Sequence, residues 1–122
     1  MRIAYERSGY GPQDVPLIEL HDAFTIEELV CPDTLGLVLE GEGSKLLVIG
    51  DTVLIGRIPA NRNGGLIAMG HPLGLTGLGQ IAEILWQMHC VASLLQIPQE
   101  VHVALAHMVG AGGVYVIHML RR

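Results

Sequence analysis

The sequence predicts an α/β fold, a mixed sheet with helices packed on it. Residues 101–106 and 114–120 have strand composition and are joined by a glycine-rich turn, which suggests an antiparallel pair. Residues 15–20 read as a further, short buried strand. Between them, Leu78, Ile81, Ala82, Leu85, Met88 and Val91 or Ala92 recur at helical spacing.

Taken in order, residues 1–8 read as the end of a helix, closed by Gly9-Tyr10-Gly11-Pro12. In the strand over 15–20, Pro16 is confined to the first residue or two, because it has no N–H to give to a ladder. His21-Asp22-Ala23-Phe24 stands at that strand's end, where sites gather in layered α/β proteins. Asp22 or Thr25 caps the next helix, which runs to about Val30 or Leu35 with Glu27 and Glu28 in its first turn. His21 and Asp22 are equally well a cap with its hydrogen-bonded neighbour and a functional pair. Residues 36–56 fit a loop or hairpin-like excursion, with Glu40-Gly41-Glu42-Gly43 as solvated surface. In the helix of 73–93, Glu83 and Gln87 suit the wetter face, Trp86 packs, and Cys90 is a packed thiol near the end. Pro98 breaks the chain before the two strands. His107-Met108-Val109-Gly110-Ala111-Gly112-Gly113 is expected as their connecting turn, carrying His107, while His102 and His118 belong to the strands as structural or surface groups.

At 122 residues the chain suits one domain, 1–122, with a modest core. Half the residues are hydrophobic and 4% aromatic, so packing rests on Leu, Ile, Val, Ala and Met. A net charge of -5 argues against nucleic acid or an anionic membrane as the main partner. No apolar run is long enough for a membrane span, and Met1-Arg2-Ile3-Ala4-Tyr5 does not open a signal peptide. The two cysteines, Cys31 and Cys90, lack zinc-site spacing and read as free, buried or partly buried thiols in a reducing, cytoplasmic setting.

One stretch draws attention: Asn61-Arg62-Asn63-Gly64-Gly65-Leu66-Ile67-Ala68-Met69-Gly70-His71-Pro72-Leu73-Gly74. Its glycines allow backbone shapes that a β-carbon forbids and a close approach to a ligand or another strand. Gly70 and Pro72 hold His71 on a turn, just before the long helix, where a site for anionic groups is expected. The plainer alternative is a tight structural turn with an outward histidine. His21, His71 and His107 thus each sit on a turn. A metal site would want more ligands than Asp22 adds, so no metal is expected and an acid/base cluster is the more economical reading.

The run NRNGGLIAMGHPLGLTGLGQ resembles the Asn-x-Asn-Gly-Gly…Gly-His-Pro-x-Gly…Thr-Gly signature of the thiolase superfamily. Two further stretches agree in order. His21-Asp22-Ala23-Phe24 is similar to the His-Asp-Cys-Phe variant of the Asn-Glu-Ala-Phe motif. His107-Met108-Val109-Gly110 is similar to the His-Asn-x-Gly stretch that replaces Cys-x-Gly in sterol-carrier-protein-type thiolases. The resemblance covers nearly the whole chain and is closest to that branch.

The resemblance implies a thiolase-like C-terminal half, incomplete at its N-terminus. It implies that His71 activates a nucleophilic cysteine and helps hold the thioester oxygen, and that His21, oriented by Asp22, serves the oxyanion site. His107 flanks the same pocket, and Asn63, Gly70 and Gly110 belong to the oxyanion or substrate-binding set. The implied substrate is a coenzyme A thioester, with no covalently bound cofactor, and the outcome is acyl transfer or carbon–carbon cleavage by Claisen chemistry. The nucleophilic cysteine of thiolases lies in an N-terminal half, so the expected partner is such a half, or a second copy of this chain. A small zinc-containing OB-fold protein is a further conceivable partner. Ala23 and His107 occupy both usual homes of the second catalytic cysteine. A retro-aldol or decarboxylating half, and a non-catalytic binding or assembly module, therefore remain the alternatives.

Overall fold

A computed structural model describes residues 1–122. Helix α1, Arg2–Ser8, ends on Gly9, whose left-handed backbone (φ 75°) lets its N–H reach the Tyr5 carbonyl. The chain then enters the short strand β1, Ile18–Glu19, followed by α2, Thr25–Thr34, and α3, Gly43–Val48. A single helical turn and a half, α4, covers Gly65–Met69, and α5 covers Thr76–Met88. Strands β2, Val103–Gly110, and β3, Val114–Arg121, close the chain. The sheet order is β1-β2-β3, with β1 parallel to β2 and β2 antiparallel to β3. The mixed α/β sheet is as expected.

Three expectations for the strands and their connections change. Strand β1 is two residues, not six, because its neighbour on one side is a loop. Ile18 pairs with Ala60 through a lone bridge, and the Asn61 side chain takes over one residue later: its Oδ1 accepts from the Leu20 N–H at 2.6 Å and its Nδ2 donates to the Leu20 carbonyl at 3.3 Å. Residues 36–56 form no hairpin. Gly36, Gly41 and Gly50, all at positive φ, cut the segment into turns around α3. Gly43 begins α3 hard against the Leu29 carbonyl, where a β-carbon has no room, so α3 lies on α2 and buries Leu46. His107 is not on a turn: β2 runs through it to Gly110, and the turn is made by Gly112 and Gly113 at φ 81° and 78°.

The sheet separates two cores by strict alternation. Ile18, Val103 and Leu105 face Cys31, Leu35 and Leu37 on the α2 side. Leu17, Ala104 and Ala106 face Ile84 and Met88 of α5. By the same alternation, His107 falls on the α2 side and Met108 on the α5 side, which decides where each can act.

Helix α5 departs in part from the expected polarity, although Met88 faces the core as expected, beside Ile84. Thr76, Gln80, Glu83 and Gln87 are buried against the sheet, whereas Leu78, Leu85 and Trp86, with Leu75 just before the helix, are exposed. The buried polar groups are largely spent on local bonds: Gln80 Nε2 donates to the His107 carbonyl at 3.2 Å, and Gln87 Nε2 donates to Glu83 Oε1 at 2.9 Å and to the Leu95 carbonyl at 2.8 Å. The exposed face is an apolar ridge without a cover.

Helix α1 is pinned by one side chain. The Tyr5 hydroxyl donates to the Leu35 carbonyl at 2.7 Å, and burial pushes its pKa up to about 12. Tyr5→Phe is expected to lower stability by about 1 kcal/mol, read as an unchanged slope and a lower midpoint in urea.

Candidate active site

The Asn61 clamp ends β1 and projects the next residues, His21 and Asp22, which are both buried. Asp22 does not cap α2. That role falls to Glu27, whose Oε2 accepts from the Phe24 N–H at 2.8 Å. Asp22 Oδ1 instead accepts from the Leu66 N–H at 2.8 Å, at the start of α4. Gly65, at φ 62°, lacks the β-carbon that would collide with this carboxylate. Asn63 Oδ1 accepts from the Gly65 N–H at 2.9 Å, completing the turn into α4. Gly70 ends α4 at φ 85°, ψ 167°, a conformation open in practice only to glycine, and hands the chain to His71.

His71 is exposed and lies just ahead of α5. Its Nδ1 is 2.8 Å from Thr76 Oγ1, and that hydroxyl donates onward to the Pro72 carbonyl at 3.0 Å. With its own proton committed, Thr76 accepts from Nδ1–H; this network assigns the tautomer and leaves the Nε2 lone pair free as a base. The rings of His21 and His71 meet edge to face, with centroids 4.8 Å apart at 82°. His21 Nδ1 lies 2.9 Å from Met108 Sδ, so the imidazole is held by β2 rather than by Asp22. His71 opens onto a groove of about 630 Å³ between α5 and the β2–β3 hairpin, walled by Leu78, Ile81, Met108, Gly110 and Val116.

His107 lies on the other face of the sheet, buried, with its Nδ1 3.7 Å from the Cys31 thiol and its ring stacked on Tyr115 at 6.1 Å. It shares a pocket of about 260 Å³ with these two residues. The structure therefore brings His21 and His71 into contact and sets His107 behind His21, turned toward α2. Burial lowers the pKa of His21 and of His107, and the neighbouring imidazole lowers each further, His71 acting on His21 and His21 on His107. Both rings are thus held in the neutral, proton-accepting form. Cys31 is the thiol nearest this cluster; burial, followed by the Glu27 carboxylate, pushes it up to about 11, so it stays protonated at neutral pH. The other cysteine, Cys90, is exposed and not packed, because a left-handed turn at φ 58° swings it off the end of α5.

The thiolase C-terminal domain-like family model matches residues 1–120. The chain belongs to this family. It is 48% identical over 120 residues to sterol carrier protein 2 of Rattus norvegicus, covering 98% of this chain and 22% of that protein. It is 38% identical over 122 residues to an acetyl-CoA acetyltransferase of Methanothermobacter thermautotrophicus, covering 99% of this chain and 32% of that one. It is 43% identical over 108 residues to the benzoylsuccinyl-CoA thiolase subunit BbsB of Thauera aromatica, covering 88% and 28%. The solved Ltp2-ChsH2(DUF35) aldolase shares the fold, with a TM-score of 0.82 over 98% of this chain and 30% of that one, at 24% identity. The chain thus spans between about a fifth and a third of the length of these relatives. No helix is long and apolar enough to cross a membrane.

In this thiolase-family domain, sequence reasoning passed over Thr76, Met108, Cys31 and Glu19. Thr76 was legible as the threonine of the Thr-Gly element in the signature. Met108 and Cys31 had no local signal, because they meet the histidines only through the sheet. Glu19 faces α5 from β1 and is 1% exposed. Burial, then the neighbouring Glu83 carboxylate, pushes its pKa up to about 8; Asp22 adds to this, and Arg62 opposes it through its backbone N–H and its charge.

These shifts set a pH window. Glu19 has a folded pKa above its unfolded value, so its contribution is full below about 4.3 and is lost as pH rises through about 8. His21 and His107 have folded pKa values below theirs, so their contribution is present above about 6.5 and falls away as pH drops further. Stability is expected to decline on both sides, and Glu19→Gln to flatten only the alkaline limb. Urea midpoints measured across pH 5 to 9 (a range of about 4 units spanning both limbs) check this; an unchanged alkaline limb in the variant refutes the assignment.

Proposed function

We propose that this chain is the C-terminal component of a thiolase-like acyl-CoA acyltransferase of the cytoplasm, completed by an N-terminal thiolase half that carries the nucleophilic cysteine. The observation that carries the reading is the His21–His71 contact at the mouth of an apolar groove, with Nδ1 of His71 tied to Thr76. In this scheme His71 Nε2 takes the proton from the partner's thiol. The thiolate attacks the thioester carbonyl of an acyl-CoA, the carbonyl electrons move onto oxygen, and on collapse the carbon–sulfur bond to coenzyme A breaks. The departing thiolate recovers the proton held on His71. His21 serves the oxyanion, with Gly110 in the wall of the His71 groove, Asn63 and Gly70 in the adjoining cleft between α4 and α5, and Asp22 holding α4 in place, while His107 backs His21 from the far face. Preorganised groups at a developing oxyanion commonly supply a large share of such catalysis.

The pairing is supported by the uncovered ridge of α5, since contiguous apolar surface of this kind marks interaction sites. Two of the relatives are named for chemistry on coenzyme A thioesters, one of them as a subunit. Two unpaired thiols, one of them exposed, suit a reducing compartment. The name of the aldolase neighbour joins two components, which keeps a small zinc-containing OB-fold protein among the partners of this proposal.

A second reading has its own observation. Ala23 and His107 stand where a second catalytic cysteine is usual, and this favours a retro-aldol or decarboxylating half. One experiment separates the readings. This chain is co-expressed with the part of the Methanothermobacter acetyltransferase that it does not match, and the purified complex is assayed for release of free coenzyme A from acetyl-CoA, one molecule for each pair of acetyl units condensed. Release supports the acyltransferase. A stable complex that releases none rejects it in favour of the second reading or of a non-catalytic module.

A further inference from the structure

His21 and His71 are each tied through Nδ1, and the tie decides which ring nitrogen carries the proton. For His71 the partner is the Thr76 hydroxyl, whose own proton is committed to the Pro72 carbonyl. For His21 it is the Met108 thioether, 2.9 Å away. A thioether has lone pairs and no proton to give, so it can only accept. At this distance a bare Nδ1 would turn its own lone pair on those of the sulfur. The His21 proton therefore sits on Nδ1. No other group of the chain hydrogen-bonds to the ring, and Nε2 is left as a lone pair.

The sulfur is held in place from two sides. Met108 lies in β2, with Val116 as its ladder partner on β3. Its methyl rests on α5 at Gly77, where a β-carbon would stand 3.2 Å from Cε, so the bare glycine gives the side chain its seat. The residue type matters as much as the seat. An asparagine fills this place in the His-Asn-x-Gly stretch that residues 107–110 resemble. An amide can donate or accept and leaves the tautomer of its neighbour open, whereas a thioether closes it. A histidine free in water favours the proton on Nε2, so Met108 holds His21 against the ring's own preference.

We propose that Met108 is a positioning residue of the active site: it keeps the His21 proton on Nδ1 and presents Nε2 as an acceptor beside His71. The consequence for catalysis rests on the acyltransferase reading and sharpens it. Burial keeps the His21 ring neutral, and in this tautomer its Nε2 has no N–H to offer an oxyanion. It serves the oxyanion through an intervening water, which donates one hydrogen to Nε2 and the other to the developing charge.

The test has a spectroscopic arm on this chain alone and a kinetic arm on the complex. The chain is isotope-labelled in its histidine ring nitrogens and read by two-dimensional NMR well above the ordinary histidine pKa, where the nitrogen shifts report the tautomer. The His21 signals are identified by their loss in His21→Asn. His21 is expected as the Nδ1–H form. Met108→Leu conserves volume and removes the acceptor, so the urea midpoint should hold. Its tautomer ratio at His21 is expected to move about fivefold toward Nε2–H, the factor that one net hydrogen bond implies, while His71 stays as it is. In the co-expressed complex the same variant is expected to lower kcat by about the same factor, with KM for acetyl-CoA within about twofold of the parent, as for an interaction made in the transition state. A parent His21 with its proton on Nε2 overturns the proposal. So does a His21 tautomer that ignores Met108→Leu, which would assign the proton's place to another group. A shifted tautomer with unchanged kcat overturns the positioning role. A parent complex without turnover rejects the acyltransferase reading, and the NMR arm then judges Met108 by itself.

Discussion

Replacing His71 with alanine is expected to cut coenzyme A release by the reconstituted complex by about 10²–10⁴-fold, the range typical of losing one positioned acid/base group. The size follows from how little else the ring does. His71 is exposed, on a turn, and its one hydrogen bond is to Thr76, so the fold loses about 1 kcal/mol or less with it. What goes is the free Nε2 lone pair beside His21. Thr76→Val separates the ring from its orientation. The imidazole stays, but Nδ1 has no acceptor and either tautomer is open, so a smaller loss, on the order of tenfold, is expected. Both variants should keep the urea midpoint within about 1 kcal/mol of the parent. Turnover unchanged in His71→Ala would remove the ring from the chemistry, and equal losses in the two variants would show that Thr76 acts on more than its orientation.

The turn carrying His71 was legible because its signals are local. Gly70 and Pro72 place His71 on a bend whatever packs around it, and the strand composition of residues 103–121 gives the β2–β3 pair. Elements that answer to distant contacts were not legible. Residues 43–48 are apolar enough to read as strand, and become helix because Gly43 lets the chain lie against the Leu29 carbonyl. The largest departure is α5. Its spacing was read correctly as helical, and its apolar side was then assigned to the core by the usual rule that such a side faces inward. Glu83 and Gln87 are instead fully inside, and Leu78 and Leu85 outside. The rule fails here because the buried polar side chains find partners inside the fold, Gln80 on the His107 carbonyl and Gln87 on Glu83 and the Leu95 carbonyl. The same distance effect separates the three histidines. His107 belongs to the cluster by order in the sequence, but the pleat of β2 turns it to Cys31 and gives its place beside His21 to Met108.

Gly65→Ala is expected to cost about 2–5 kcal/mol, far more than an exposed glycine substitution. Two penalties combine. At φ 62° an L-residue pays about 1–2 kcal/mol for the left-handed backbone. The added carbon would also run into the Asp22 carboxylate, which is 3% exposed and holds the Leu66 N–H at 2.8 Å. If the carboxylate moves aside, that N–H is stranded in a buried place, at about 1–3 kcal/mol. Gly9→Ala isolates the first penalty, since Gly9 sits at φ 75° with nothing within 4 Å of a β-carbon. Its midpoint shift in urea should be about 1 kcal/mol, and the excess in Gly65→Ala measures the Asp22 contact alone. The excess also bears on function. Asp22 adjoins His21 in the chain, and α4 leads through Gly70 into His71, so a displaced carboxylate disturbs the contact between the two rings from both ends. Gly65→Ala should therefore lose turnover even at low temperature where it stays folded, while Gly9→Ala keeps it. Equal midpoint shifts for the two variants would mean that Asp22 does not brace α4, and the support assigned to the imidazole pair would fall with it.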